Sequence, residues 1–344
     1  MQLANKKPVN PGELIKKLHR LQGAQVLIVG DIMLDEYLLG DASRISPEAP
    51  VPVVLVDEQR YMLGGAGNVA RNISALGGRP KLISACGDGY NSGLLKELLA
   101  KEHIEADLTP LPGRPASTKT RVMARGQQLV RIDRENAEPL SQSDTNSILA
   151  KIEKLWPETE VIIISDYNKG LVSKEFMQGI EKIRAKNRKD VKLLVDPKTS
   201  NFPLYQNMFI LTPNTLETGE GAGLPVRSKE EIIAAGQAIF SKIHCKHLLT
   251  TLGAKGMALF DGPNSILHIP TVAQKVFDVS GAGDTVIATL ALALASNFEL
   301  LEACVIANFA AGNVVAEVGA ATTTAEHIAE AIANLGEVEI TRWL

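Results

Sequence analysis

Six short apolar runs, each separated from the next by other patterned sequence, constrain this 344-residue chain more than any other feature. They fall at residues 26–30 (VLIVG), 81–84, 161–165, 193–196, 209–212 and 247–251. The intervening sequence has helical spacing at 66–76, 93–101, 143–155, 173–186 and 229–243. Continuous apolar strands need cover on both faces, so strands alternating with helices predict a mainly parallel sheet between two helical layers, an α/β/α sandwich. After residue 281 the pattern is almost wholly helical, at 286–295, 300–318 and 324–335. A chain of this length buries a full core as one large α/β domain, with or without a smaller appendage.

Two stretches break the alternation. Residues 43–57 (SRISPEAPVPVVLVD) and 117–133 (STKTRVMARGQQLVRID) read as extended and mix apolar residues with Arg and Lys. They are expected to pair into a small β-sheet that covers the active site, as lids of α/β enzymes do. The strand ends carry polar residues: Asp31 and Asp35, Asp166, Asp196 with Lys198, then Asn214 and Glu217. Ligands of open α/β sheets bind outside the carboxyl ends of the strands, so these groups should converge. Any single Asp there is also a good helix cap. So many in succession predict a site.

Composition excludes several partners. A formal net charge of −3 provides no global field for nucleic acid or an anionic membrane, and 4% aromatic residues provide no stacking platform. Cys86, Cys245 and Cys304 are scattered and form no CxxC or Cys/His cluster, which predicts reduced, packed thiols in a cytoplasmic protein. The N-terminus is charged and has no apolar signal core, and the alanine-rich run 286–295 is too short to span a bilayer. Residues 11–21 are amphipathic, with Leu14, Ile15, Leu18 and Leu21 on one face, and are expected to dock on the body of the protein.

The turn DVSGAGDT, residues 278–285, immediately precedes the alanine-rich helix. Its glycines allow close backbone approach, and a helix start presents unpaired N–H groups with the positive end of the dipole. Gly281, Ala282 and Gly283 are thus placed to hold a phosphoryl group in transfer. Asp284 stands at the mouth of this hole, where a carboxylate can accept the proton of an attacking hydroxyl. The same Asp is also a candidate helix cap.

Three further motifs accompany the turn in sequence order: LGGAGNVARNISALGG at 63–78, TPNTLE at 212–217 and TLGAKG at 251–256. With them the chain resembles, from about residue 25 to 335, the ribokinase-like (phosphofructokinase B-type) sugar kinases. The resemblance implies a ribokinase-like three-layer α/β/α sandwich with a small β-sheet lid, formed by residues 25–337 between an N-terminal extension (1–24) and a C-terminal tail (338–344). It implies ATP and Mg²⁺ as cofactors, with Asp284 as base. Asn214 and Glu217 would organise Mg²⁺ through water, Thr215 and Leu216 would lie beside the nucleotide, and Gly253 and Gly256 would let the backbone pass close to it. Asp31, Gly64, Gly65 and Asn68 would bind the sugar hydroxyls. No GxxxxGK[ST] run is present, so a Walker-type phosphate loop is excluded.

Within that family, residues 29–54, 118–133, 164–173 and 195–198 (VDPK) are most similar to the D-glycero-β-D-manno-heptose-7-phosphate kinases of lipopolysaccharide-core biosynthesis. These phosphorylate the C1 hydroxyl, giving the 1,7-bisphosphate. A substrate that already carries a phosphate needs fixed cations. Arg44, Arg121, Arg125, Arg131, Lys169 and Lys198 are the candidates, with Arg44, Arg121, Lys169 and Lys198 taken as substrate-binding. The chain lacks the HxGH motif of a nucleotidyltransferase domain and so resembles the stand-alone kinase. Departures from the family pattern, at Thr215, Leu216, Ala320 and residues 322–324, fall on the nucleotide side. Alternatives are a kinase for a fructose or tagatose phosphate, or a non-catalytic sugar-phosphate sensor on the same fold. The apolar faces at 51–56 and 122–132 also predict a homodimer paired through the lid.

Overall fold

Alternate side chains of the strand Gln25–Gly30 enter two different cores. Val26 and Ile28 pack on one side, Leu27 and Val29 on the other. The strand Val161–Ser165 repeats this division, with Val161 and Ile163 against Ile162 and Ile164. A sheet apolar on both faces must be covered on both, and the helices are distributed accordingly.

The structure, a computed structural model, describes residues 9–187, 189–317, 319 and 321–344. Its strands are β1 (Gln25–Gly30), β2 (Ile32–Ile45), β3 (Pro52–Gly65), β4 (Arg79–Asp88), β5 (Glu105–Pro115), β6 (Thr118–Ala124) and β7 (Gln127–Arg134). They continue as β8 (Val161–Ser165), β9 (Lys192–Asp196), β10 (Met208–Leu211), β11 (Cys245–Thr251), β12 (Met257–Phe260), β13 (Ile266–Ile269) and β14 (Thr341–Arg342). The helices are α1 (Pro11–Lys17), α2 (Ala66–Ala75), α3 (Tyr90–Lys101), α4 (Gln142–Leu155) and α5 (Lys174–Lys186). The remainder are α6 (Thr215–Ala222), α7 (Lys229–Lys242), α8 (Ala282–Ala295), α9 (Leu300–Val314) and α10 (Ala325–Leu335).

Among the described residues the large sheet runs β14-β13-β12-β11-β10-β9-β8-β1-β4-β5, and β5 through β11 in that order pair in parallel. One face is covered by α1, α2, α3, α8, α9 and α10, the other by α4, α5, α6 and α7. From β1 the chain winds outward to β4 and β5, then returns to β8 and winds the other way. The ends of β1 and β8 therefore flank a topological switch point, where ligands of such sheets bind. Helix α8 is buried throughout from Asp284 to Leu294, which is why its sequence carries no polar face.

The lid is a separate four-stranded sheet, β3-β2-β6-β7, and its long hairpin starts nearer the core than expected. β2 leaves directly after Asp31 and β3 returns to Gly65, so the lid grows out of the carboxyl end of β1. The outermost described segments are integral to the fold. Leu14, Leu18 and Leu21 are buried in the main core, and Lys17 bonds Glu302 of α9 at 2.5 Å. At the other end β14 pairs with β13, and Trp343 stacks on His268, where a tail was expected. Helix α9 stops at Val314; Val318, where it was expected to end, lies outside the described residues, as do Ala320 and residues 1–8. No helix among the described residues is long and apolar enough to cross a membrane.

Candidate active site

Gly281 caps α8 with φ +78° and ψ 0°, a left-handed conformation that favours glycine. A Cβ built on Gly283 would meet nothing within 4 Å, so the start of α8 opens onto free space. The Ala282 N–H is spent inside the turn, donating to the Val279 carbonyl at 3.2 Å, so Ala282 is not one of the open donors. The N–H groups of Gly283 and Asp284 lie in the first helical turn, which has no carbonyl partners of its own.

Asp284 is buried at the third position of α8 and is held from two sides. The Tyr167 hydroxyl donates to its Oδ1 at 2.6 Å, and Asn68 Nδ2 donates to its Oδ2 at 2.7 Å. Burial pushes its carboxyl up to about 6, against the downward pull of these two donors, and Asp35 adds to the rise. A further bond locks α2 to α8: Asn72, whose amide donates to the Asn68 carbonyl within α2 at 2.9 Å, accepts from the Thr285 hydroxyl of α8 at 2.9 Å. Asn68 Oδ1 is buried with no partner among the described residues, an acceptor available to a ligand hydroxyl.

Asp31, expected to bind a sugar hydroxyl, has a carboxylate already engaged by the backbone. Its carboxylate accepts the N–H groups of Tyr167 (2.9 Å), Lys169 (3.0 Å) and Leu171 (3.4 Å). Both oxygens are therefore used in shaping the turn after β8, and Asp31 acts on the site through Tyr167. Asp166 is engaged in the same way, by Tyr205, Asn201 and the Asn168 N–H. On the lid side the carboxylate near enough to Asp284 to raise it is Asp35, four residues after Asp31 on β2. Gly64 makes room for it, since a Cβ there would lie 2.7 Å from Asp35 Oδ2. Gly65 caps α2 at φ +57°, and a Cβ there would lie 2.4 Å from the Asp31 carbonyl. Both glycines are required by the protein's own packing beside the cleft.

Across Asp284 lies a hollow of about 170 Å³, lined by Asp166, Asp196, Lys198, Asn214, Glu217, Thr251 and the glycine turn. Asn214 and Glu217 form a reciprocal capping box on α6: Asn214 Oδ1 accepts the Glu217 N–H, and Glu217 Oε2 accepts the Asn214 N–H, each at 2.9 Å. Among the described residues, one Glu217 oxygen and the Asn214 amide nitrogen have no hydrogen-bond partner. Thr215 ties α6 to β11 through the Thr251 carbonyl at 3.0 Å, and Leu216 is exposed. Gly253 faces open space, whereas a Cβ on Gly256 would lie 2.1 Å from the Ile269 carbonyl. Gly256 is thus demanded by strand packing, not by ligand approach. Burial, with Asp284 and Glu217 nearby, holds the Asp196 carboxyl well above its usual range.

The expected substrate cations separate. Arg44 is exposed toward the far end of the lid, paired in register with Val53. Lys198 lies in the hollow with Asn214 and Glu217, away from the lid. Arg121 reaches the cleft, where it bonds Asp35 at 2.7 Å and covers the Tyr37 ring. Lys169 sits where the turn after β8 meets the lid, bonded to Glu135 at 2.7 Å.

The pfkB family carbohydrate kinase model matches residues 24–327. The chain belongs to the pfkB family of carbohydrate kinases. Proteins named Bifunctional protein HldE match it along most of its length. The one from Paramagnetospirillum magneticum is 40% identical over 333 residues, covering 95% of this chain and 68% of its own. That from Vibrio cholerae is 41% identical over 309 residues, covering 90% and 63%. The chain therefore spans about two thirds of the length of these relatives. Among solved structures, phosphofructokinase-2 from Escherichia coli in complex with potassium superposes with a TM-score of 0.76, at 20% identity, over 92% of this chain and all of that one. Ribokinase from Arabidopsis thaliana, complexed with ribose and ATP, gives 0.69 at 18% identity over 90% and 99%. At these identities the structural matches establish the fold.

A pfkB carbohydrate kinase moves a phosphoryl group from ATP to a sugar hydroxyl, and this geometry is suited to that. A buried carboxylate near pH 6 is ionised at neutral pH yet basic enough to accept a proton. Tyr167 was not singled out in the sequence, because nothing in the run ISDYNKG marks its hydroxyl as aimed at a residue 117 positions away. Only the Asp31-held turn brings it there.

Asp284→Asn is expected to lower turnover at least ~10²-fold, as for loss of a general base. A carboxyl raised by burial binds its proton more tightly folded than unfolded, so it detracts from stability increasingly as pH rises from about 4 to about 6. The same variant should therefore be more stable than wild type at pH 8, by up to about 3 kcal/mol, and not at pH 4. Tyr167→Phe removes a donor to the carboxylate and should move the acidic limb of the kcat profile upward by about one pH unit. An unmoved limb would show that the Tyr167 hydroxyl does not tune the base.

Proposed function

We propose that the protein phosphorylates the C1 hydroxyl of D-glycero-β-D-manno-heptose 7-phosphate with ATP, giving the 1,7-bisphosphate used in ADP-heptose and lipopolysaccharide-core synthesis. The observation that carries this reading is the roughly 40% identity to HldE proteins along nearly the whole chain, lid included. The cleft supports it, with polar groups toward the sugar and cations on the lid.

In this reading the sugar lies between Asp35, Asn68 and Asp284. Asp35 and the unpartnered Asn68 oxygen hold its hydroxyls. Asp284 takes the proton of the C1 hydroxyl as the sugar oxygen bonds to the γ-phosphorus and the bond to the ADP oxygen breaks. The N–H groups of Gly283 and Asp284, at the positive end of α8, hold the oxygens of the group in transfer. The ATP phosphates extend into the hollow toward Asn214 and Glu217.

The donor set there fits Mg²⁺. Four carboxylates line the hollow, Asp166, Asp196, Glu217 and Asp284, with Lys198 the one basic side chain in its lining among the described residues. This suits Mg²⁺, which keeps waters and binds through few carboxylates plus substrate phosphates. Asn214 and Glu217 would hold it through water, and it would supply neutralisation of phosphate charge. Glu217→Gln separates this role from capping, because the amide oxygen still accepts the Asn214 N–H. Thermal stability is expected to change little, while half-saturation for Mg²⁺–ATP rises ~10-fold or more, as for a lost charge-assisted contact. An unchanged magnesium dependence would remove Glu217 from this role.

The substrate is tested by measuring phosphate transfer to a panel of heptose, fructose and tagatose phosphates. Fastest turnover, by kcat/KM, is expected with the heptose 7-phosphate, and a faster hexose phosphate would overturn the assignment.

We also propose a homodimer through the lid. The face of the lid sheet opposite Asp35 and Arg121 carries Val122, Val130 and Ile132, and the hairpin adds exposed Ile45, Val51 and Leu55. Pairing two such sheets would cover this apolar surface. Sedimentation is expected to give twice the chain mass at micromolar concentration; a monomer would reject it.

A further inference from the structure

The cleft-facing side of the lid carries more positive charge than its own carboxylates neutralise. On that face the strand register aligns Asp35, Lys119 and Asp133 in one row, and Tyr37, Arg121 and Arg131 in the next. Residues 119 and 121 share a face because strand side chains alternate. Three cations there have dedicated partners: Arg121 with Asp35 (2.7 Å), Arg131 with Asp133 (2.8 Å) and Lys169 with Glu135 (2.7 Å). Lys119 is left over. Among the described residues its ammonium has no ion-pair or hydrogen-bond partner, though it is half-buried. Burial, then the neighbouring Arg131 and Lys169, push its amine below the usual lysine range, against a weaker pull from Asp133 and Glu135. A half-buried cation with two like charges nearby is unfavourable unless an anion completes the cluster.

We propose that Lys119, flanked by Arg131 and Lys169, seats the phosphate that the sugar substrate already carries, and so sets the preference for phosphorylated over neutral sugars. The inference rests on the reading of the substrate as a sugar phosphate. The placement suits the two ends of such a molecule. Asp35 is close enough to Asp284 to raise its carboxyl, and Lys119 is one strand further out. A hydroxyl at the base and a phosphate at Lys119 are therefore separated by the Asp35 side chain and one strand spacing of the lid. An ammonium has three donors for phosphate oxygens, and Arg131 and Lys169 add charge without leaving their carboxylates.

The test compares each sugar phosphate with its dephosphorylated sugar, starting with the heptose 7-phosphate, in wild type, Lys119→Met and Lys119→Arg. In wild type the phosphorylated sugar should be strongly preferred in kcat/KM. Lys119→Met should reduce that preference ~10–100-fold by raising KM for the phosphorylated sugar, the scale of one charge-assisted contact. It should also weaken competition by inorganic phosphate. Lys119→Arg keeps the charge and should retain most of the preference, which separates lost charge from disturbed folding. Equal loss toward both sugars, or an unchanged preference in Lys119→Met, overturns the seat while leaving the substrate reading intact. A wild type that prefers neutral sugars overturns both.

Discussion

A carboxylate buried at the start of a helix is costly, and much of this molecule's polar interior is arranged around Asp284. Its two oxygens are taken by Tyr167 and Asn68, at 2.6 and 2.7 Å, from different elements. Tyr167 is in place because Asp31 gathers three backbone N–H groups of the turn behind it. Asn68 is in place because Asn72 and Thr285 lock α2 against α8. The chain of bonds runs from the end of β1, across the switch point, to the helix that carries the base. Burial raises the carboxyl to about 6 while these donors limit the rise, leaving a group that is charged and still basic near neutrality.

The cleft is electrically divided around that carboxylate. Toward α6 the wall is acidic, with Asp166, Asp196 and Glu217 about the hollow. Toward the lid it is basic, with Lys119, Arg121, Arg131 and Lys169 exceeding the carboxylates that pair with them. A donor that brings its own cation fits the first side, and a substrate bearing a bare phosphate fits the second. The opposite face of the lid has apolar residues where the cleft face has charges, since neighbouring residues of a strand point to opposite sides.

Several residues have structural duties at the positions where ligand contacts were expected. Asn214 and Glu217 cap α6 before they can meet any ion. Gly256 is needed because the Ile269 carbonyl leaves no room for a Cβ, and Gly64 because Asp35 does not. Asp31 and Asp166, both promising as strand-end carboxylates, already accept from backbone and side-chain donors on both oxygens. A motif in sequence does not distinguish these duties, because the same residue type serves a turn and a ligand equally well.

Local pattern determined the sandwich. Runs such as VLIVG can be satisfied only between two helical layers, and the all-apolar helix after Gly281 only inside one. The glycine turn and Asp284 were legible for the same reason, since a positive-φ glycine and a helix start act over four residues. What the tertiary structure decided was everything that depends on partners far apart in the chain. It placed Asp35 rather than Asp31 beside the base, because β2 turns out into the lid directly after Asp31. The lid's reach from 32 to 65 was hidden by irregular pairing near residues 39–44, which interrupts the strand alternation. The Tyr167 bond spans 117 residues and the surplus charge of Lys119 exists only by comparison with pairs made on three strands and a turn. Such contacts are set by how sheets and helices close on one another, and no window of sequence contains them.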